Sequence, residues 1–460
     1  MKTEQLLSRV RTGEALSFKE QVFLITKLSV PTILAQISSI VMSFIDASMV
    51  GKLGSADSAS IGLVASSTWL VAGLCFAAAM GFTVQVSHLI GANNEKAARN
   101  LVKIAFLATI FYSIVVMVLC ASISGELPKF LGKIDSTDEI YENARIYFLV
   151  FCLSVPIIQL NNLAAGLLQA AGEMKIPSIM QILMAVMNVA LNYLFIFVLR
   201  RGVLGAAVAT VIARGTTTLI LLLFLIFSSP ILRLTNRTGE KMQFDAKYLS
   251  TAIKIGMPIA FEQAIMSGGQ VAFTKIVAPL GKIALAANSF AITAESICYM
   301  PAYGLGAAAT TVCGQSFGAR RYDLTYRLGW LTTLIGIVLM LVMGALLFIF
   351  APEMIGFLSP DESVRRLGTR VLRIESFSEM LYGASLVANG ALRGTGDTLV
   401  PSLYKFFSMW LVRIPLALFL RTQFALEGIW FAMSFELCVR GLLFLIRLKG
   451  KSWVKPVNRP

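Results

Sequence analysis

Among the ionisable side chains inside long apolar runs of this chain, seven are the candidates for a role: Asp46, Arg214, Glu262, Glu295, Arg413, Glu436 and Arg440. A charge held among hydrocarbon costs roughly 3 kcal/mol on insertion scales, so each one invites a functional reading. Asp46, in "IVMSFIDASMVGKLG", is the sharpest case. A lone carboxylate in apolar surroundings can load and release a proton. With further oxygen ligands beside it, it can instead hold a sodium ion. The structural alternative is a solvated acid at a helix end, next to Gly51 and Lys52. Asn188 and Asn192, in "MNVALNYLF", share one helix face through their i, i+4 spacing. Asn161 adds another amide and Thr210 a hydroxyl. Their structural alternative is interhelical hydrogen bonding.

Glu262 follows Pro258 by one helical turn and precedes Gln263. It reads as a proton or substrate-cation site, or as a structural partner of Lys254 or another basic residue. Glu295, in "AITAESICYMPAYG", could meet a cationic substrate. Gln36, Gln263 and Tyr299 are expected to join Glu262 and Glu295 along a substrate cavity. Glu436 and Arg440 stand at i, i+4 and read as a structural ion pair. An enzyme is not expected: one histidine, His88, and six scattered cysteines supply neither a nucleophile–base pair nor a metal cluster, and no cofactor is implied beyond a coupling ion.

The elements that must position these residues follow from composition. Of 460 residues, 57% are hydrophobic and 14% charged. No soluble fold has interior enough for that, and a β-barrel has no apolar run of about 20 residues. The reading is an all-α polytopic membrane protein. Apolar runs fall near 22–48, 60–89, 100–123, 145–170, 176–199, 203–229, 252–275, 284–314, 328–350, 370–392, 399–420 and 427–446, which makes twelve spans. The net charge of +15 is scattered over loops and forms no single stripe, so nucleic acid is not an expected partner. Basic residues such as Lys96, Arg99, Arg233, Arg237, Lys241, Arg320, Arg321, Arg327, Arg393, Lys449 and Lys451 favour cytoplasmic termini, with Arg365, Arg366, Arg370 and Arg373 voting the other way.

The polar stretch 230–250 separates six spans from six. At an offset of about 227, Pro31 falls on Pro258, Gln36 on Gln263, Gly54 on Gly281 and Gly91-Ala92 on Gly318-Ala319. Later the offset drops to about 224, and "GLLQAAGEMKIPS" overlays "GALRGTGDTLVPS", with Gly172 on Gly396 and Pro177 on Pro401. Matched glycines and prolines indicate repeated turns and kinks. Two halves with an even number of spans run the same way through the bilayer, and such parallel repeats commonly enclose a central cavity. The expected organisation is a cytoplasmic segment 1–20, an N-lobe 21–229, a cytoplasmic linker 230–250, a C-lobe 251–447 and a cytoplasmic tail 448–460.

"FIDASMVGKLG", "QAAGEMKIPS", "NVALN", "GMPIAFEQ" and "GALRGTGDTLVPS", with the 6+6 repeat, resemble the multidrug and toxic compound extrusion (MATE) family, over residues 20–447. The resemblance implies two six-helix lobes around a cavity and export of drugs and organic cations, driven by inward flow of sodium ions or protons. Asp46 matches the family's first-helix aspartate, which takes part in coupling, and Asn188, Asn192 and Thr210 match the polar positions around it. A DinF-like member often has an aspartate where Asn192 stands, so this position resembles the NorM-like branch. That branch also carries acids on its seventh and tenth helices. Here Glu262 lies about one turn early, and the tenth-helix position falls near Leu381 or Tyr382, with Glu379 nearby. The expected setting is a bacterial inner membrane, a monomer in contact with lipid. The alternative function is a lipid-linked oligosaccharide flippase of the same superfamily, which would need a cavity ringed with Arg. A channel would more often surround a shared pore.

Overall fold

The computed structural model describes residues 3–132, 138–235 and 242–455. Residues 236–241 of the expected linker, Arg237 and Lys241 among them, lie outside the described residues, as do 1–2 and the tail end 456–460. Among the described residues every regular element is a helix. In chain order these are α1 (Thr3–Thr12), α2 (Phe18–Gly51), α3 (Ser55–Gly91), α4 (Glu95–Ser122), α5 (Leu127–Gly132), α6 (Glu139–Leu153), α7 (Val155–Ala170), α8 (Lys175–Asn192), α9 (Gly202–Leu223), α10 (Ala246–Val277), α11 (Lys282–Gly318), α12 (Tyr322–Leu358), α13 (Glu362–Ser376), α14 (Glu379–Gly394), α15 (Leu399–Phe407) and α16 (Ile414–Lys449). Turns of wider π-helix follow α8 at Tyr193–Val198 and α9 at Phe224–Ser228, and join α15 to α16 at Ser408–Arg413.

The twelve expected spans map onto this series. Helices α2, α3, α4, α11 and α12, with α8 and α9 including their π turns, are each long and apolar enough to cross a bilayer. The bent pair α6–α7 supplies another, with a break of 46°. The 51-residue stretch Leu399–Lys449 supplies two, because Ala425 takes a positive φ of 48° and kinks α16 there. The remaining two, α10 and α13–α14, carry buried charges, among them Glu262, Glu375 and Glu379. Exposed apolar side chains such as Phe111, Val118, Val338 and Leu341 make α4 and α12 lipid-facing.

The repeat is visible in the backbone. Positive φ occurs at Gly54 and Gly281, at Asn93 and Arg320, and at Gly172 and Gly396. Each pair is related by the offset read from the sequence. Helices α3 and α11 begin one residue after a glycine of the first pair and have 37 residues each. Only glycine takes the left-handed region without cost, so Gly172 and Gly396 end α7 and α14 at equivalent places.

Packing divides the chain into two compact units, Ser38–Ala260 and Met1–Ile37 with Phe261–Pro460. These boundaries fall inside α2 and α10, whereas the repeat divides the sequence at 230–250. Close backbone contact explains the difference. Thr32 Oγ1 donates to the Gly304 carbonyl at 2.8 Å, which fastens the start of α2 to α11. Gly81 and Gly256 have no room for a Cβ against Ala252 and Ala77, which fastens the start of α10 to α3.

Within the first of these units, Leu101, Leu163, Leu167, Leu221 and Leu225 fill a core among α3, α4, α7 and α9. Within the other, α11, α12 and α14 meet along small residues. Gly390 and Gly394 sit one turn apart on α14, against the backbone of Gly306 and Thr310. Thr310 Oγ1 donates to the Gly390 carbonyl at 2.9 Å. The short helix α1 buries Leu6, Leu7 and Val10. Its last carbonyls are capped by the Arg321 guanidinium, which donates to Arg9 O and Val10 O, and to Glu14 O just beyond the helix. Arg9 pairs with Glu20 at 2.5 Å and holds that half-buried carboxyl below the usual range.

Candidate functional site

The unit Ser38–Ala260 brings Asp46 together with the paired asparagines. Asn192 Nδ2 donates to Asp46 Oδ1 at 2.7 Å and to Asn188 Oδ1 at 3.0 Å. Asn188 Nδ2 donates to Thr210 Oγ1 at 2.9 Å. Thr210 Oγ1 in turn donates to the Ala206 carbonyl at 3.0 Å. A line of polar groups thus runs from α2 along α8 to α9. Both asparagines are fully buried. Their i, i+4 spacing makes the line continuous, because each amide of the helix face lies one turn above the next. The oxygens of Asp46, Asn188, Asn192 and Thr210 are hard donors of the kind that suit a proton or an alkali cation. Asn161 stands apart: its amide donates to Thr218 Oγ1 at 3.0 Å, between α7 and α9. At the repeat position of Asp46 the other unit has Phe273, buried to 1% exposure.

In that other unit Glu262 is enclosed by bases. Its Oε1 accepts from Arg393 Nη2 at 2.7 Å and from Lys405 Nζ at 2.5 Å. Its Oε2 accepts from Ser402 Oγ at 3.4 Å. This is the geometry of the structural-partner alternative, with Arg393 and Lys405 where Lys254 was considered. Gln36 and Gln263 are half-buried. Glu295 on α11 lies in the electrostatic field of Glu375, Glu379 and Arg413. Tyr299, one turn on, stacks edge-on against Tyr382 at 5.5 Å and Tyr303 at 6.0 Å. Tyr382, one of the two residues near which the tenth-helix position of the resemblance falls, thus belongs to an aromatic cluster with Tyr299 and Tyr303. Glu436 forms the expected pair with Arg440, at 2.8 Å, and a second with Arg413, at 2.9 Å.

Sequence reasoning missed Glu375 and Lys405, and counted Arg393 only as a cytoplasmic base, not as a partner of Glu262. Glu375 and Glu379 have no measurable exposure. Glu375 Oε1 accepts from Ser378 Oγ at 2.9 Å. A signal was present: both acids lie within the expected span 370–392, at i, i+4. Lys405 stands on α15, whose other polar residues are few, and intramembrane lysine was a cue.

Helices of this length, in this order and with this repeat, define a multi-pass membrane protein of the transporter class. The MatE family model matches residues 31–194 and 258–419, and the chain belongs to that family, a family of transporters. It is 27% identical to "Probable multidrug resistance protein NorM" of Thermotoga maritima, over 93% of this chain and 92% of that one. It is 25% identical to "Probable multidrug resistance protein YoeA" of Bacillus subtilis, over 76% of each. Among solved structures, a MATE protein in the straight conformation matches with a TM-score of 0.88 and 20% identity, over 98% of each chain. An outward-facing multidrug resistance MATE family transporter matches with a TM-score of 0.87 and 20% identity, over 98% of this chain and 97% of that one. At this identity the structural likeness is one of fold.

Proposed function

We propose that this protein is a secondary active multidrug exporter, moving drugs and organic cations out of the cell in exchange for sodium ions or protons by alternating access. The observation that carries the proposal is the Asp46 line. One carboxylate sits in an apolar helix, hydrogen-bonded to the neutral amide of Asn192 at 2.7 Å. The relatives named as multidrug resistance proteins support the substrate class.

The mechanism follows from the hydrogen bonds. Ionised Asp46 accepts from Asn192 Nδ2. A proton or sodium ion on the carboxylate competes with that donor. The end of α2 then loses its attachment to α8 and can repack. Drug and ion must favour different conformations, since a ligand of equal affinity for both shifts nothing. Asn188 and Thr210 hold Asn192 in register, so that the change at Asp46 is read by α8 and α9. The setting we assign is a bacterial inner membrane, with both termini cytoplasmic and a single chain as the working unit.

The test is ethidium efflux from vesicles carrying the purified protein, with sodium and proton gradients imposed separately. Asp46→Asn should abolish the ion-driven component while leaving the protein folded. Full ion-driven efflux by this variant would refute the mechanism. No efflux from the parent protein under either gradient would turn attention to lipid substrates.

A further inference from the structure

Arg214 is the one intramembrane base of the sequence analysis without an assigned partner. It lies on α9, one turn after Thr210, in the unit Ser38–Ala260. The two other bases of that analysis, Arg413 and Arg440, are both held by Glu436. Arg214 has no carboxylate in ion-pair range among the described residues; its ionisable neighbours are the Tyr147 phenol and the Cys75 thiol. It is half-buried. A guanidinium in an apolar helix without a counter-charge is costly, and intramembrane charges of this kind mark substrate and ion pathways.

The surroundings suit such a visitor. Arg214 lines a small cleft with Tyr147, Phe151, Ser154, Ile157 and Thr210. Hydroxyls and a guanidinium face apolar walls, which is the composition of a subsite for a carboxylate or phosphate. The cleft admits a functional group, not a whole drug. It also connects to Asp46, because Thr210 ends the hydrogen-bonded line described above. Helices α8 and α9 run antiparallel across their short connection. The steps from Asn192 to Asn188 and from Thr210 to Arg214 therefore add, and separate Asp46 from Arg214 by roughly two helical turns, about 11 Å.

An acid and a base at that spacing discriminate by charge. A simple cation suits Asp46 and is repelled at Arg214. A simple anion meets the reverse. A zwitterion with its cationic end toward Asp46 and its anionic end in the cleft satisfies both. We propose that the Arg214 cleft is an anion-binding subsite that takes the carboxylate of zwitterionic substrates. This deepens the export reading and rests on it. A lipid headgroup phosphate shares the chemistry and is the other source of such an anion.

The test uses two probes that differ by one methyl group. Tetramethylrhodamine is a zwitterion, and its methyl ester is a cation. Their binding to purified protein in phosphatidylcholine nanodiscs is read by fluorescence polarisation. The parent should prefer the acid over the ester by about tenfold or more, the scale of a charge-assisted hydrogen bond. Arg214→Gln should bring that ratio close to one, and Arg214→Lys should retain part of it. Sodium benzoate should displace the acid from the parent and spare the ester, a readout that needs no variant.

Phosphatidylglycerol in the discs separates the two sources. An acid preference that falls with this lipid only when Arg214 is present assigns the cleft to headgroup phosphate. A preference indifferent to it assigns the cleft to substrate carboxylate. Equal binding of acid and ester by the parent would overturn the subsite and leave the export reading standing. Equal weakening of both probes by Arg214→Gln would overturn it as well. Failure of both probes to bind the parent would overturn the two together.

Discussion

Glu262 offers the most quantitative test of the fold. Its Oε1 lies 2.7 Å from Arg393 Nη2 and 2.5 Å from Lys405 Nζ, so the two cationic nitrogens are no more than about 5 Å apart. With one acid between them the triad carries a net charge of +1. Glu262→Gln raises this to +2 and leaves the bases facing one another. At an effective dielectric constant of 20, two unit charges about 5 Å apart repel by about 3 kcal/mol. Removing one partner from a buried ion pair costs about 3–5 kcal/mol in general, which agrees. Lys405→Met has the opposite sign: it leaves a neutral Glu262–Arg393 pair. The expected order of heat resistance is therefore parent, then Lys405→Met, then Glu262→Gln. For a domain of this size about 1 kcal/mol shifts the midpoint by ~2–4 °C, so Glu262→Gln should fall by at least about 6 °C. The assay is the fraction of monodisperse protein remaining after a temperature series in detergent, by size-exclusion chromatography. A Glu262→Gln variant as heat-resistant as the parent, or more so than Lys405→Met, would refute the argument that this acid serves to neutralise two bases.

Other predictions rest on separate features. Gly390→Val places side-chain atoms against the Gly306 backbone and should reduce the yield of folded protein several-fold, whereas Gly268→Ala, where the nearest atom is a Trp410 ring carbon at 3.5 Å, should be tolerated; both are read from expression of a fluorescent fusion. Glu436→Gln should lower heat resistance more than Arg413→Met, since the first removes the ion-pair partner of two buried bases and the second leaves one pair intact. The carboxyl of Glu20 is held below the usual range, first by its hydrogen bond to Arg9. Its contribution to docking of α1 is therefore complete above the ordinary glutamate value and is lost as pH falls through the depressed folded value. Protection factors across Thr3–Thr12, each taken against the intrinsic exchange rate at the same pH, should be high near neutrality and fall as the pH drops below the ordinary glutamate range, and Glu20→Gln should show low protection at both; equal protection of the variant and the parent near neutrality would contradict this.

The line from Asp46 to Thr210 was partly legible because one of its links, from Asn188 to Asn192, is periodic, whereas Asp46 and Asn192 stand 146 residues apart. The i, i+4 asparagines share a face by helix geometry alone. The repeat was legible for a similar reason: glycine and proline mark backbone conformations that few other residues can take. Thus Gly54, Gly172, Gly281 and Gly396 all adopt positive φ. The partners of Glu262 were not legible in this way. Arg393 and Lys405 lie 131 and 143 residues away, and nothing in a run of apolar residues says which faces of α10, α14 and α15 meet. Asn161 shows the converse. Its residue type fitted the polar line, but its place on α7 turns it to Thr218.

The amino-acid sequence by itself determined a membrane-spanning, all-helical, internally repeated chain, since composition, run length and the spacing of glycine and proline are properties of the linear polymer. It also determined that a few charges would have to be accommodated among hydrocarbon. Tertiary structure alone decided how each was accommodated. Glu262 is shared by two bases, Glu436 bridges two arginines, Asp46 leans on a neutral amide, and Arg214 faces a cleft with no acid in it. The energy of a buried charge depends on what lies within a few ångströms of it, and that is set by helix packing between residues far apart in the chain.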